Sequence, residues 1–173
     1  NVNTGYVVAI GETYWAAEKA AKALKVDWDL GENKNVSSKT IRDESIRLQK
    51  NPNDGFLWVL EGDTEKGMKN ATNKHTAVYE TAIAYHGCME PMNCVVYEKD
   101  GIWHIHGANQ SASFTPAVVG GAIGVDSDKV VCHQYYAGGG FGRKGENDAT
   151  VMAAQASNFI KRPVKLIYSR EQD

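Results

Sequence analysis

Four glycines within five positions, Gly138, Gly139, Gly140 and Gly142, broken only by Phe141 and followed by Arg143 and Lys144, form the stretch of this chain best suited to chemistry. Without side chains, backbone N–H groups approach a ligand closely. Glu146 to Phe159 reads as a helix, so the loop is expected to feed a helix N-terminus. Unpaired N–H donors and the positive end of the helix dipole favour an anion there. Two cations stand at the same spot. The implied chemistry is the holding of something negatively charged, flat, or both. The pattern is not a Walker loop, because Lys144 follows Arg143 and precedes Gly145. Nor is it a dinucleotide fingerprint, whose third glycine would stand where Arg143 does. A tight strand-to-helix turn with no ligand is the alternative reading.

Other reactive types are sparse. His104 and His106 would point the same way on a strand, but no further ligands lie near them in sequence, so no metal site is assigned. Cys88, Cys94 and Cys132 are odd in number and lack a CxxC pair, which argues against a disulfide framework, a zinc ribbon or an iron–sulfur cluster. Each sits among apolar neighbours and reads as a small buried hydrophobe. The 173 residues carry 19 basic and 21 acidic side chains, a net charge of −2, which points to neither a nucleic-acid nor a membrane surface. No apolar run approaches the ~18–20 residues of a transmembrane helix. Asn1 is not an initiator Met, and both ends read as cuts through a larger protein.

The elements that must position the loop follow from pattern. Tyr6–Ile10, Val26–Trp28 and Phe56–Leu60 read as strands, and His75 to Tyr85 alternates like one. Glu12 to Leu24 is Ala-rich and helical, Gly31 to Asn35 is a polar loop, and Ser37 or Ser38 caps a helix over Thr40 to Lys50. Asp63 and Thr64 open a short helix to about Ala71. Asn93–Glu98 and Ile102–Gly107 form a hairpin about Lys99-Asp100-Gly101. Ser113 to Ile123 is a helix with Pro116 in its first turn, and Asp126 to Asp128 is a turn or cap. Val130–Tyr135 is a strand running into the glycine loop, and Val164–Tyr168 is the last strand. The fold class is α+β, mixed sheets with helices packed on them. The expected organisation is an N-terminal α/β lobe over residues 1–72 and a second region over 73–173, unless the two form one continuous domain.

Six motifs now fall in one order. Tyr14-Trp15-Ala16-Ala17 leads to Ala23 through Asp29, then come Leu60-Glu61-Gly62-Asp63, His86 through Asn93, Ala108-Asn109-Gln110, Gly138 to Lys144, and Arg162 to Asp173. Together they resemble the large, molybdenum-binding subunit of the xanthine dehydrogenase and aldehyde oxidase family, in particular its isoquinoline 1-oxidoreductase beta and membrane-bound aldehyde dehydrogenase-like branch. The resemblance covers nearly the whole chain and implies part of a molybdopterin-binding domain. It implies an oxidoreductase that hydroxylates an aldehyde or N-heteroaromatic carbon with oxygen from water, at molybdenum on a molybdopterin, usually the cytosine dinucleotide form in bacterial relatives. Electrons would pass to a small partner subunit carrying two [2Fe–2S] clusters, in agreement with the cysteines here.

By the same resemblance, Gln110 matches a glutamine that hydrogen-bonds an oxo ligand of the molybdenum. Its amide donates without charge. A strand-end Gln bonded to backbone is the alternative. Gly139, Gly140, Phe141, Gly142 and Arg143 match the loop that sets backbone N–H groups beside the cofactor, with Phe141 on the substrate side or plugging the turn. Glu90 is a carboxylate near the cofactor or a cap for nearby backbone. Gly145 departs from relatives that carry a substrate-binding Glu there, which favours a hydrophobic or aromatic substrate over a purine. Glu146 and Asp148 complement the helix dipole or partly replace that Glu. The family's general base lies far downstream, so no catalytic residue is expected in this stretch. The compartment stays open between bacterial cytoplasm and periplasm, leaning to the periplasm or a membrane-associated form. A cofactor-free binding or assembly module on the same scaffold is the competing function.

Overall fold

Ser37 shows how locally this chain specifies its helices. Its hydroxyl accepts the Thr40 N–H while Thr40 Oγ1 accepts the Ser37 N–H, a reciprocal cap that starts α2, Ser38–Gln49. Thr13 caps α1, Tyr14–Ala23, and Asp63 caps α3, Thr64–Asn70, each with its side chain as acceptor only. The structure, a computed structural model, describes residues 5–51, 54–59 and 61–173. By compactness they divide into two units, one joining the residues up to Lys25 with Tyr85–Asp173, the other Val26–Ala84.

In the Val26–Ala84 unit no described residue is buried. Its order comes from helix caps and exposed ion pairs, such as Arg47 with Glu44 and Asp54. Each such pair is worth little in water. The strands expected at Val26–Trp28, over residues 56–59 and over 75–85 do not form among the described residues, and Leu60 lies outside them. Tyr6–Ile10 in the other unit likewise forms no ladder. Apolar runs and alternation mark a surface that wants covering, but a strand also needs a partner backbone for its N–H and C=O groups. The polar loop expected at Gly31–Asn35 is wound into a 3₁₀ turn, started by Asp29 Oδ1 accepting the Gly31 N–H at 2.9 Å.

The larger unit holds the core. β1, Asn93–Lys99, and β2, Ile102–Gly107, form the expected hairpin. Asp100 and Gly101 supply the left-handed turn at φ 54° and 79°. α4, Thr115–Ile123, ends on Gly124 in the left-handed region and carries the chain to β3, Val130–Gln134. α5, Asp148–Ile160, precedes β4, Val164–Ile167. The sheet order is β3-β2-β1-β4, with β2 parallel to β3 and both other pairs antiparallel. This is a mixed sheet in an α+β fold, as its alternation implies.

Alternation decides the two faces. Cys94, Val96, Trp103, Ile105 and Val130 turn inward onto Val119 of α4 and Ala153 and Ala154 of α5. Each large aliphatic side chain removed from water contributes about 1.5–3 kcal/mol, and the alanines of α5 let the helix lie close on the sheet. Burial pushes the Cys94 thiol up to about 12, so it is an inert core residue as expected.

The outer face carries Tyr97, His104, His106, His133 and Tyr135. His104 and His106 do share this face. His104 Nδ1 lies 2.9 Å from His133 Nε2, and His106 is hydrogen-bonded between the Tyr97 and Tyr135 hydroxyls at 3.2 and 3.1 Å. Among the described residues no group of three or more His, Cys, Asp or Glu is placed to hold a metal ion. Burial, then the neighbouring His133 and His104, lower the His106 pKa from its usual value. The unfolded chain therefore takes up its proton at a higher pH than the folded one. The stability this provides is complete above about pH 6.5 and is lost as pH falls below it. His106→Gln should flatten that part of the stability–pH curve, read by urea unfolding at several pH values between 5 and 7.5.

Candidate functional site

Parallel pairing of β2 and β3 sends both of the following loops off the same end of the sheet. Ala108-Asn109-Gln110-Ser111 leaves β2, and the glycine-rich loop, residues 137–144, leaves β3 by way of Tyr135 and Tyr136. Two motifs nearly thirty residues apart thereby become neighbours. A polar network joins them. Gln134 Nε2 donates to Asn109 O at 2.8 Å, Asn109 Nδ2 donates to Thr115 Oγ1 and Asn147 Oδ1, and Ser111 Oγ donates to Gly145 O at 2.7 Å. Thr115 is fully buried and gives its hydroxyl proton to Asn147 Oδ1 at 2.7 Å. Asn147, at the N-cap of α5, is a residue that the sequence reading passed over. An Asn immediately before a helical run is the signal that marks it.

Gln110 sits at the centre of this junction. Its backbone N–H donates to Lys144 O at 2.9 Å, and its Oε1 accepts the Gly142 N–H at 3.0 Å. The amide oxygen is thus committed, and Nε2 has no partner among the described residues. Gly140 packs against that amide so closely that an added Cβ would stand 2.5 Å from Cδ and Oε1 of Gln110. Gly142 adopts φ 93°, a left-handed conformation that side chains rarely take. Phe141 takes φ 51° despite having one, and its ring is 69% exposed, lying against Gly139 of its own turn. Strained, exposed residues of this kind collect at functional sites. Beneath the loop, the buried Cys88 thiol donates to Gly140 O at 3.2 Å.

The donors divide cleanly. Gly138 N–H is taken by Glu90, Gly142 N–H by Gln110 and Arg143 N–H by Gly140 O. The N–H groups of Gly139, Gly140 and Phe141 have no acceptor among the described residues. With Gln110 Nε2 they form a patch of uncharged donors.

Two expectations are corrected here. The loop does not run straight into the helix: a 3₁₀ turn, Arg143–Gly145, and the residues Glu146 and Asn147 intervene before α5 starts at Asp148. The two cations are also not free for a ligand. The Arg143 guanidinium makes paired hydrogen bonds of 2.9 Å to both oxygens of Asp148 and lies 3.6 Å from Asp173 Oδ1. Lys144 is 2% exposed and paired with Glu90. Burial would raise the Asp148 carboxyl, but the Arg143 guanidinium outweighs it and holds the group below its usual value. As expected, Asp148 also answers the positive end of the helix. What the loop leaves open is therefore a set of backbone and carboxamide dipoles, not net charge.

The parallel pair of this mixed sheet thus sets a glycine loop and a glutamine side by side. Residues 48–173 match the family model of the molybdopterin cofactor-binding domain, and the chain belongs to that family. It is 35% identical over 170 residues to the membrane-bound aldehyde dehydrogenase [pyrroloquinoline-quinone] of Gluconacetobacter polyoxogenes, covering 98% of this chain and 22% of that protein. It is 28% identical over 168 residues to a xanthine dehydrogenase of Emericella nidulans, covering 95% and 12%. With the isoquinoline 1-oxidoreductase subunit beta of Brevundimonas diminuta it shares 27% over 181 residues, covering 96% and 22%. The chain spans about a fifth or less of the length of these relatives.

Proposed function

We propose that this chain is the cofactor-facing part of the large subunit of a molybdenum hydroxylase. The whole enzyme oxidises an aldehyde or N-heteroaromatic substrate with water-derived oxygen and passes electrons to a [2Fe–2S] partner subunit. The cofactor is a molybdopterin, in the cytosine dinucleotide form. When bound, that group supplies the two-electron acceptor; the protein supplies orientation and dipoles. Gly139, Gly140 and Phe141 offer their N–H groups, and Gln110 offers Nε2, to oxygens of the group. Gly142 and Arg143 fix the bend, the first through Gln110 and the second through Asp148.

What supports this reading above all is the patch of unpaired, uncharged donors built around a glycine whose missing Cβ leaves room only for the Gln110 amide. Such preorganised donors stabilise developing negative charge without reorganising. The reading carries no catalytic base within this stretch. It leaves the compartment to the intact protein, and among the described residues no helix is long and apolar enough to cross a membrane. The test is elemental analysis and pterin release on the complete enzyme, purified natively with its partner. Molybdenum and pterin in equal amounts are expected. A quinone in place of pterin, or a cofactor-free protein, sinks the assignment.

Gly145 bears on substrate choice. A Cβ there meets nothing within 4 Å, so the backbone leaves room for a side chain to start at this position. The absence of a glutamate leaves the site without that carboxylate, in line with an apolar or aromatic substrate. Gly145→Glu in the complete enzyme should keep the melting temperature within a few degrees. It should raise KM for hydrophobic aldehydes several-fold relative to hydrogen-bonding N-heterocycles, read by steady-state kinetics on both.

A further inference from the structure

Lys144 is among the most buried side chains of the chain, 2% exposed, and it is a lysine. Its ammonium meets Glu90 Oε2. Glu90 does more than neutralise it. The same oxygen accepts the Gly138 N–H at 2.7 Å, Oε1 accepts Asn93 Nδ2 at 3.1 Å, and the Glu90 N–H donates to Gly138 O at 3.0 Å. Lys144 in turn gives its carbonyl to the Gln110 N–H at 2.9 Å. One ion pair therefore ties the start of the glycine loop at Gly138 to its end at Lys144, and ties both to Gln110 and to the segment leading into β1. Burial would raise the Glu90 carboxyl; Lys144, Gly138 and Asn93 together hold it below its usual value instead, so it stays ionised as the tie requires.

Stability alone does not call for this arrangement. An apolar pair of similar volume commonly serves a core as well as a buried ion pair or better, because two charges need not leave water. What an apolar pair cannot do is hold the Gly138 N–H and set the two ends of the loop at a fixed separation. That separation decides where the free N–H groups of Gly139, Gly140 and Phe141 stand relative to Gln110 Nε2.

We infer that Glu90 and Lys144 are a positioning pair for the cofactor site: a neutral internal clamp that holds the glycine loop and Gln110 in the spacing that receives the molybdopterin group. The inference rests on the cofactor reading above. The experiment compares Glu90→Gln, Lys144→Met and the double variant Glu90→Leu with Lys144→Met in the complete enzyme. Melting temperature, molybdenum and pterin per polypeptide, and kcat and KM of the loaded fraction are measured for each. Glu90→Gln alone leaves the ammonium of Lys144, 2% exposed, without its counter-charge and is expected to lose stability. The double variant removes both charges and is expected to melt within a few degrees of the parent, yet to carry at least tenfold less pterin. Lys144→Met leaves a partly exposed carboxylate that still accepts from Gly138 and Asn93, so it is expected to fold and to carry about threefold less pterin, which keeps the test open if the double variant does not fold. A structural role predicts that pterin content tracks melting temperature across the series; a positioning role predicts that the two part company. A folded double variant or Lys144→Met protein with parental pterin content and kcat overturns the inference alone. A parent enzyme without pterin overturns it together with the cofactor reading.

Discussion

Alanine at position 140 is expected to leave the protein folded and to unseat Gln110, and with it the donor role proposed for that side chain. The added Cβ would stand 2.5 Å from Cδ and Oε1 of Gln110 and 3.0 Å from Nε2, well inside van der Waals contact. Backbone strain is not the difficulty, because Gly140 is not in the left-handed region. The atoms in the way are the end of a flexible side chain, so relief is cheap: Gln110 swings out of its seat. That movement breaks the Oε1 contact with the Gly142 N–H and carries Nε2 away from the donors of the loop. A shift of about 1 Å in a catalytic constellation can cost about a hundredfold in rate. The expected result is a melting temperature within a few degrees of the parent, with kcat/KM lowered by about two orders of magnitude, as in Gln110→Ala. Because both changes act through one side chain, the double variant should be no worse than either single one. Additive losses would show that Gly140 serves some other end.

What could be read from the sequence divides by the distance over which each feature is determined. The hairpin at Lys99-Asp100-Gly101 and the Ser37 and Asp63 caps depend on residues within one turn, and all are legible in the sequence. The unformed strands at Tyr6–Ile10 and over 75–85 were misread for the opposite reason. Their patterns describe one face of the chain, whereas a ladder depends on a backbone that local sequence does not name. Charge shows the same limit. Arg143 and Lys144 look like an anion site in a row of letters, but Glu90 lies 54 positions from Lys144, and only the fold brings it there to cancel the ammonium. Gln110 and the glycine loop were legible as separate motifs in a familiar order. That they meet follows from the parallel register of His106 with His133 and Gly107 with Gln134, which sends both loops off one end.

Gln110→Glu separates the observed role of that amide, bracing the bend, from the proposed one, donating to the bound group. A carboxylate keeps an oxygen for the Gly142 N–H, now as a charge-assisted bond, so the loop stays seated. It has no N–H to donate. If Gln110 were only a brace for the bend, the substitution would be nearly silent, and Gln110→Ala would be the more damaging of the two. If Nε2 is the donor to an oxygen of the bound group, the ranking changes. Glu loses the donor and adds a negative charge facing an anionic partner, while Ala loses the donor but adds no charge. Removing one preorganised donor from such a site costs about 10²–10³ in kcat, and the charge adds to that loss. The expected order of kcat is therefore parent, then Ala, then Glu, with melting temperatures of parent and Glu within a few degrees of each other. Stopped-flow reduction by substrate under anaerobic conditions reads the chemical step directly. A Glu variant reduced as fast as the parent would return Gln110 to a purely architectural role and leave the loop amides as the site's only donors.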